Sequence, residues 1–338
     1  MSEQAENLKR SAWPHRMAWL LACATLTLIL AGGIVTTTDS GMAFKDWMTS
    51  DGTFFLWYDW LSSSGDKFIE HGHRLLGALA GFLAIGLVVA CFASEDRSWV
   101  RKFSLAILAG VILQGLLGGA RVVFDQRTLA LIHGCTGPLF FAMTAAMVVV
   151  TSRWWRQTDP STAATSNLLA AKTFRLSLVC ASLAYGQLVV GAVVRHSPDL
   201  TGRLTATIFQ VAVYFHVLLA LLILCHVLLL AWRCLRTGLQ RFGGACLLTL
   251  VGAQLLLGMS TWVVKYGMPQ WAMPIVGTWN VVNRKSDVTS AAIITGHMVV
   301  GSLILIVSVA VALRLGRQLR VRLPRYATAD CRISEVAS

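Results

Sequence analysis

Four of the eight histidines in this 338-residue chain lie within long apolar stretches, at similar distances from one end of each stretch. They are His73, His133, His216 and His297. An ionisable side chain is costly inside a lipid bilayer, so one found there usually has a function. Imidazole nitrogens are common metal ligands. One such histidine could be a hydrogen-bonded structural group, but four at matched depth favour metal ligation.

The metal centre that best suits two histidines on facing apolar helices is haem. Zinc would normally take further ligands, typically cysteine or carboxylate. Haem needs only axial ligands in an apolar slot, with cations near the rim for its propionates. Arg74, Arg121 and Arg195 lie at or near the same ends of the stretches and could provide those cations. The histidines therefore predict two haem sites, each with two axial histidines.

Glu70 places a carboxylate beside one of these histidines. It precedes His73 by three residues and Arg74 by four, so all three side chains share one helix face. A simple electron-transfer haem site has no need of such a carboxylate. The alternative is an ion pair between Glu70 and Arg74 near the membrane interface. The residues before His216 are Val213-Tyr214-Phe215, without a carboxylate. The first pair is thus expected to react and the second only to ligate.

Eight apolar stretches carry these residues. The chain is 56% hydrophobic and 13% charged, which is about half the charged fraction of a soluble domain. Each stretch can span a hydrocarbon core of about 30 Å as a helix. The predicted spans are 17–38, 67–93, 102–123, 128–151, 173–195, 206–232, 242–264 and 288–313. The predicted fold class is an all-α integral membrane protein with eight transmembrane helices.

The basic residues predict the orientation of these helices. Most of the 29 lysines and arginines behind the +13 net charge lie before the first span, after the last, or in every second connection between. The positive-inside rule then makes both termini cytoplasmic and places the four histidines in the outer half of the bilayer. The charge reflects topology, so no nucleic-acid partner is expected.

A repeated motif divides the helices into two sets of four. Gln-x-x-x-Gly occurs at 114–118, 187–191 and 254–258, in the third, fifth and seventh spans, and Gly32 lies at the matching depth in the first. The glycines could allow close helix packing or make room for a flat cofactor. The repeat predicts two pseudo-symmetric four-helix bundles.

The predicted divisions follow from this repeat and from the charges. They are a cytoplasmic N-terminal segment 1–16, an N-terminal bundle 17–152, a cytoplasmic linker 153–172, a C-terminal bundle 173–313, and a basic cytoplasmic tail 314–338. Two long outer segments, 39–66 and 265–287, are rich in aromatic residues. These are ordinary interface residues or form a lid over the site.

Taken together, these residues resemble the haem A synthase family. Phe68-Ile-Glu70-His-Gly-His73-Arg74 is similar to the family's Glu-x-x-His-Arg motif. Similarity continues at Gly32-Gly33-x-x-x-Thr37-x-x-Ser40-Gly41, at Asp46-Trp47, at Gln114-Gly-Leu-Leu-Gly118-Gly119-x-Arg121 and at the four histidines. It covers roughly residues 17–313.

The resemblance implies a haem O oxidoreductase of the cell membrane, which oxidises a methyl group of haem O to the formyl group of haem A for terminal cytochrome oxidase. It implies that His216 and His297 are the axial ligands of a haem b cofactor. The substrate haem would be bound by His73, His133, Arg74 and Arg121. Glu70 would be catalytic, either stabilising positive charge or accepting a proton. Implied partners are haem O synthase, cytochrome oxidase assembly factors and the lipid bilayer, and the chain could form a homo-oligomer.

Two departures from the family pattern are visible. Many bacterial relatives have a cysteine pair in the first outer loop, and this chain has none there. Thr36-Thr37-Thr38 stands where many relatives have an arginine. The alternatives to the synthase are a di-haem b-type electron carrier acting on quinol and a haem transporter or chaperone. Glu70 and the unequal halves favour the oxidase.

Overall fold

The computed structural model describes residues 12–158, 168–196, 203–268 and 288–318, and eight of its helices are long and apolar enough to cross a membrane. They are α1 (Ala12–Thr37), α2 (Gly65–Ser94), α3 (Ser98–Phe124), α4 (Arg127–Thr151), α6 (Leu168–His196), α7 (Arg203–Thr237), α8 (Arg241–Tyr266) and α9 (Val288–Gln318). The predicted all-α membrane fold is confirmed. Most helices extend past the predicted spans, because polar residues at their ends continue the helix beyond the apolar stretch.

Short elements lie between the long helices. The first outer segment contains β1 (Thr49–Ser50) paired antiparallel with β2 (Thr53–Phe54), then a 3-10 turn at Phe55–Trp57. Helix α5 (Arg153–Gln157) begins at Ser152, whose side chain accepts a hydrogen bond from the Trp155 N–H. The predicted linker 153–172 thus contains α5 and the start of α6, and its residues 159–167 lie outside the described ranges.

The eight helices pack as two rings of four. In the first ring α1 contacts α2, α2 contacts α3, α3 contacts α4, and α4 returns to α1. The second ring runs α6, α7, α8, α9 and back to α6 in the same way. Each ring has its own cluster of buried apolar side chains. The rings meet where α9 packs on α1 and α4, and α6 on α4. The pseudo-symmetry of the two predicted bundles stays a prediction.

The turn between α3 and α4 shows how local sequence sets the site. Asp125 adopts a left-handed conformation with φ 47°, and its N–H bonds to the carbonyls of Arg121 and Val122. This ends α3, and α4 begins two residues later. Since so short a turn makes the two helices antiparallel neighbours, Gly118 on α3 comes to lie opposite His133 on α4.

Candidate functional site

The structure brings the four predicted histidines together in two pairs. The rings of His73 on α2 and His133 on α4 have centroids 6.5 Å apart and are nearly perpendicular, at 89°. The rings of His216 on α7 and His297 on α9 are 6.2 Å apart at 66°. Each pair joins two opposite helices of one ring. No group of three or more His, Cys, Asp or Glu side chains suited to a metal ion occurs among the described residues.

Both pairs line one continuous cavity of about 2180 Å³. A pocket for a drug-sized ligand usually measures about 300–1,000 Å³, so this cavity has room for two large ligands. The sequence predicts two separate sites, whereas the structure joins them. The cavity is lined mainly by apolar residues and glycines, with polar groups including Glu70, Arg74, Arg121 and Arg195.

The repeated glycines lie against the histidine rings. A Cβ atom added at Gly32 would lie 2.9 Å from Cε1 of His73, and one at Gly258 would lie 3.0 Å from Cε1 of His297. The corresponding distances are 3.5 Å from Gly118 to His133 and 3.1 Å from Gly191 to His216. These glycines therefore make room for the imidazole rings of the neighbouring helices, and whether they also make room for a flat cofactor stays a prediction.

The glutamines of the same motif connect neighbouring helices. Nε2 of Gln114 donates to Oγ1 of Thr136 at 2.6 Å, across from α3 to α4. Nε2 of Gln187 donates to the main-chain carbonyl of His216 at 3.0 Å, across from α6 to α7. The motifs at 114–118 and 187–191 therefore each place a hydrogen bond one turn from a glycine that contacts a histidine ring.

The geometry of each histidine pair suits one iron ion bound between the two imidazoles. In all four rings Nδ1 is buried without a hydrogen-bond partner among the described residues, so Nε2 is the nitrogen available toward the cavity. Two imidazoles that each bind a metal at about 2 Å through one nitrogen would have ring centres roughly 6 Å apart. The observed separations of 6.5 and 6.2 Å match that value. Haem is the group that needs only two such ligands in an apolar cavity.

Glu70 is a buried carboxylate with three donors. Its Oε1 accepts from Nη2 of Arg74 at 2.8 Å, which is the ion pair that the sequence offers as an alternative to a chemical role. Its Oε2 accepts from the N–H groups of Ala43 and Phe44 at 2.8 and 3.2 Å. The residue is 3% exposed and lines the cavity. It therefore both fixes the first outer segment on α2 and presents its carboxylate to the first half of the cavity.

Other predicted site residues also hold the first outer segment. Nη1 of Arg74 donates to the carbonyl of Thr49 at 2.8 Å, and Nη2 of Arg121 donates to the carbonyl of Gly41 at 2.6 Å. The Trp47 ring lies so close to Gly119 that any Cβ there would overlap it. Trp47 lines the cavity as well. This segment thus covers the first half of the cavity at the end where Glu70, Arg74 and Arg121 lie, as a lid would.

Two site features were missed in the sequence. Trp47 belongs to the aromatic first outer segment, but its contact with Gly119 is not among the predictions, although the Gly118-Gly119 pair is a signal for a close approach there. His71 is not among the predicted site residues, yet it is fully buried, with Nδ1 3.0 Å from Oγ of Ser50. The aromatic residues Trp271 and Trp279 of the second outer segment lie outside the described residues.

Parts of this chain are similar in sequence to known proteins. Residues 62–207 match the sequence model of a family described as "Cytochrome oxidase assembly protein". The "Heme A synthase" of Geobacillus kaustophilus is 28% identical over 192 residues, which are 54% of this chain and 56% of the relative. That of Exiguobacterium sibiricum is 28% identical over 51% of this chain and 55% of its own length. That of Bacillus licheniformis is 32% identical over 31% of this chain and 34% of its own length.

The chain spans about half the length of the first curated relatives it matches. Its eight apolar helices are those of a multi-pass membrane protein, and residues 62–207 are similar to the cytochrome oxidase assembly family. The relatives named above are haem A synthases, to which this chain is similar over about half its length.

Proposed function

We propose that this protein is a haem A synthase, which oxidises a methyl group of the substrate haem O to a formyl group and so provides haem A for terminal cytochrome oxidase. The observation that carries the proposal is the difference between two similar histidine pairs. Both have the spacing that suits an axially ligated iron. Among the described residues, only the first half has a carboxylate in the cavity wall, that of Glu70. Three residues before His216, at the equivalent position of α7, the chain has Val213.

The roles of the histidines follow from that difference. His216 and His297 would hold a resident haem b, and His73 and His133 would hold the substrate haem. When bound, haem supplies one-electron and oxygen chemistry. Arg74 and Arg121 lie beside the first pair and would face the acidic edge of the substrate. The glycines against the four rings leave room for the imidazoles that would ligate the two haems.

Glu70 would act on protons or charge at the reacting edge. Conversion of a methyl group to a formyl group adds oxygen at the carbon and removes hydrogen from it. This is an oxidation, so an external acceptor must take up electrons while protons leave the site. Arg74 and two backbone N–H groups orient the carboxylate. A carboxylate has about four lone-pair positions, which leaves acceptor capacity toward the cavity. Glu70 can thus accept a proton or stabilise positive charge beside the substrate.

The membrane context completes the proposal. With both termini in the cytoplasm, the two histidine pairs lie in the outer half of the cell membrane. The proposed partners are haem O synthase as the source of substrate and cytochrome oxidase assembly factors as recipients of the product. We further propose that residues 17–152 and 173–313 form two related bundles, which have separate tasks.

Identification of the bound haems tests this function. The full-length protein is purified from cells that make haem O, and its haems are extracted and separated chromatographically. Haem b together with haem A, or with a hydroxylated haem O, is the expected result. If haem b alone is recovered although haem O is supplied, the protein is a di-haem electron carrier. Unreacted haem O carried without oxidation would indicate a transporter or chaperone.

A further inference from the structure

Arg195 is a cation in the cavity wall without an acidic partner in the described part of the chain. It lies near the outer end of α6 and lines the cavity. The ion pairs among described residues involve other cations, one lysine and three arginines, and Arg74 in the first half is neutralised by Glu70. A guanidinium withdrawn from water without an opposite charge is unfavourable, so an anionic group in the cavity would complete this site.

The contacts of Arg195 fix its position between the two halves. Nη2 donates to Oγ1 of Thr37 at 2.6 Å and to the carbonyl of Gly33 at 3.2 Å, both on α1. Nη1 lies 3.8 Å from Sδ of Met298, the residue after His297. These contacts use part of the five N–H donors of a guanidinium. The remaining donors are available to a ligand.

The repeat relates this position to the second pair of histidines. Arg195 follows Gly191, which contacts the His216 ring, by four residues. Four helical residues advance about 6 Å, so Arg195 lies one turn outward on the same face. The corresponding residue in the first half is Thr36, whose hydroxyl bonds to the carbonyl of Gly32. The second half in turn has Val217 where the first has Arg74. The cation thus comes from a different helix in each half.

We propose that Arg195 binds the acidic substituent, a propionate carboxylate, of the haem held by His216 and His297, and that its charge raises the reduction potential of that haem. This inference rests on the proposed haem b site. Arg195 is a positioning residue here, because it contacts a substituent at the edge of the haem and not the iron. A charge-assisted hydrogen bond from a fixed guanidinium to a carboxylate is among the stronger polar contacts in proteins. A nearby cation favours the reduced haem, which carries one more electron.

Arg195→Met tests the proposal in the purified full-length protein. The rate of haem b transfer to excess apomyoglobin should rise roughly tenfold to a hundredfold when the contact is lost. The midpoint potential of the remaining haem b should fall in a spectroelectrochemical titration. Arg195→Lys keeps the charge but not the fork of donors, so its potential should stay near that of the wild type while haem loss is faster. Arg236, an exposed arginine of α7 that stacks on Trp232, provides the matched control. Arg236→Met should change neither the transfer rate nor the midpoint potential.

The outcomes separate this inference from the function on which it rests. Wild-type protein without haem b would overturn both. Wild-type protein with haem b, and Arg195→Met with the same transfer rate and potential, would overturn the inference alone. A purely structural tie between α6 and α1 would lower thermal stability without moving the potential. If Arg195→Met does not accumulate, an unchanged transfer rate in Arg195→Lys contradicts the proposal.

Discussion

At the scale of single residues, the enzymatic proposal depends most on Glu70. Its carboxylate has both a structural partner, Arg74, and a place in the cavity wall, so a substitution must distinguish the two roles. Glu70→Gln keeps the size and hydrogen-bonding capacity of the side chain but removes its charge. Haem A formation should be abolished, while haem b stays bound and haem O or a partly oxidised product accumulates. Haem extraction measures all three.

Arg74→Gln is the companion variant, because it breaks the same ion pair and leaves the carboxylate in place. It should retain measurable haem A formation. If Glu70 were only structural, Glu70→Gln would lower the free energy of unfolding by about 3 kcal/mol, as for a buried pair that loses one partner, and activity per folded molecule would survive. A normal haem A yield would remove the carboxylate from the mechanism and make the electron carrier an equal alternative.

The second-half histidines give a prediction with an internal control. His216→Ala and His297→Ala should each lower the haem b content of the purified protein, measured from its absorbance after reduction. His226 lies on the same helix as His216, but its Nδ1 is 2.8 Å from the carbonyl of Leu222 in its own helix. His226→Ala should therefore retain haem b. Equal loss from that variant would mean that the site lies at another depth.

At the scale of elements, the helices could be predicted and the first outer segment could not. Apolar stretches of sufficient length define the spans, and the four-residue spacing within them places Glu70, His73 and Arg74 together. The outer segment is held by single contacts to distant residues, such as Oγ of Ser40 to Oδ1 of Asp66 at 2.7 Å. No periodicity in the sequence encodes such contacts. Its small hairpin and the position of Trp47 therefore became visible only in the structure.

The approach of α8 to the His297 ring can be tested with two glycines of that helix. Gly258→Ala would place a Cβ 3.0 Å from the ring, so the imidazole must move by a few tenths of an ångström. The haem b content should fall. Gly252→Ala is the matched control, because no atom lies within 4 Å of its added Cβ. It should keep haem b, and the change could raise helix stability by up to about 1 kcal/mol. Similar haem b content in both variants would contradict the proposed role of the glycines.

A buried charge cluster joins the adjacent ends of α2, α3 and α5. Glu95 accepts from Nε of Arg97 at 2.8 Å and from Nη2 of Arg156 at 2.9 Å. Burial alone would raise the pKa of Glu95, but the hydrogen bonds from Arg97 and the charges of both arginines outweigh it and lower that pKa below 4.5. Since the folded-state pKa is lowered, the cluster stabilises the fold at neutral pH. This contribution is lost as the pH falls through the folded-state value.

Glu95→Gln should therefore reduce the free energy of unfolding at pH 7 by about 1–3 kcal/mol. The difference from the wild type should shrink as the pH falls from about 4.5 toward the lower folded-state pKa of Glu95, because the wild-type carboxylate also becomes neutral there. Thermal unfolding in detergent at several pH values measures this. The neighbouring Asp96 is exposed, so Asp96→Asn should show little change at any pH. A Glu95→Gln deficit that does not depend on pH would contradict the assignment.

At the scale of the whole molecule, the continuous cavity is what the sequence did not predict. The repeat indicated two sets of four helices, and the helix contacts show two rings. The cavity continues from one ring into the other where α1, α4, α6 and α9 meet. At this interface Arg195 of α6 donates a hydrogen bond to Thr37 of α1. Such an interface is specified by shape and by a few polar contacts, for which the chain carries no motif.

The orientation of the molecule in the membrane is the prediction on which the depth of every ligand depends. Basic residues of α5 and α9 gather at one end of the structure, where Nε of Arg317 donates to the carbonyl of Trp155 and Arg314 lies over Trp154. The positive-inside rule makes this the cytoplasmic end. Fusions of alkaline phosphatase after residues 60 and 280 should be active, and fusions of a fluorescent protein after residue 160 and at the C-terminus should fluoresce. The reciprocal fusions at the same four positions serve as controls. A cytoplasmic first outer segment would place all four histidines in the inner half of the bilayer, and haem O would then have to reach the site from the opposite side.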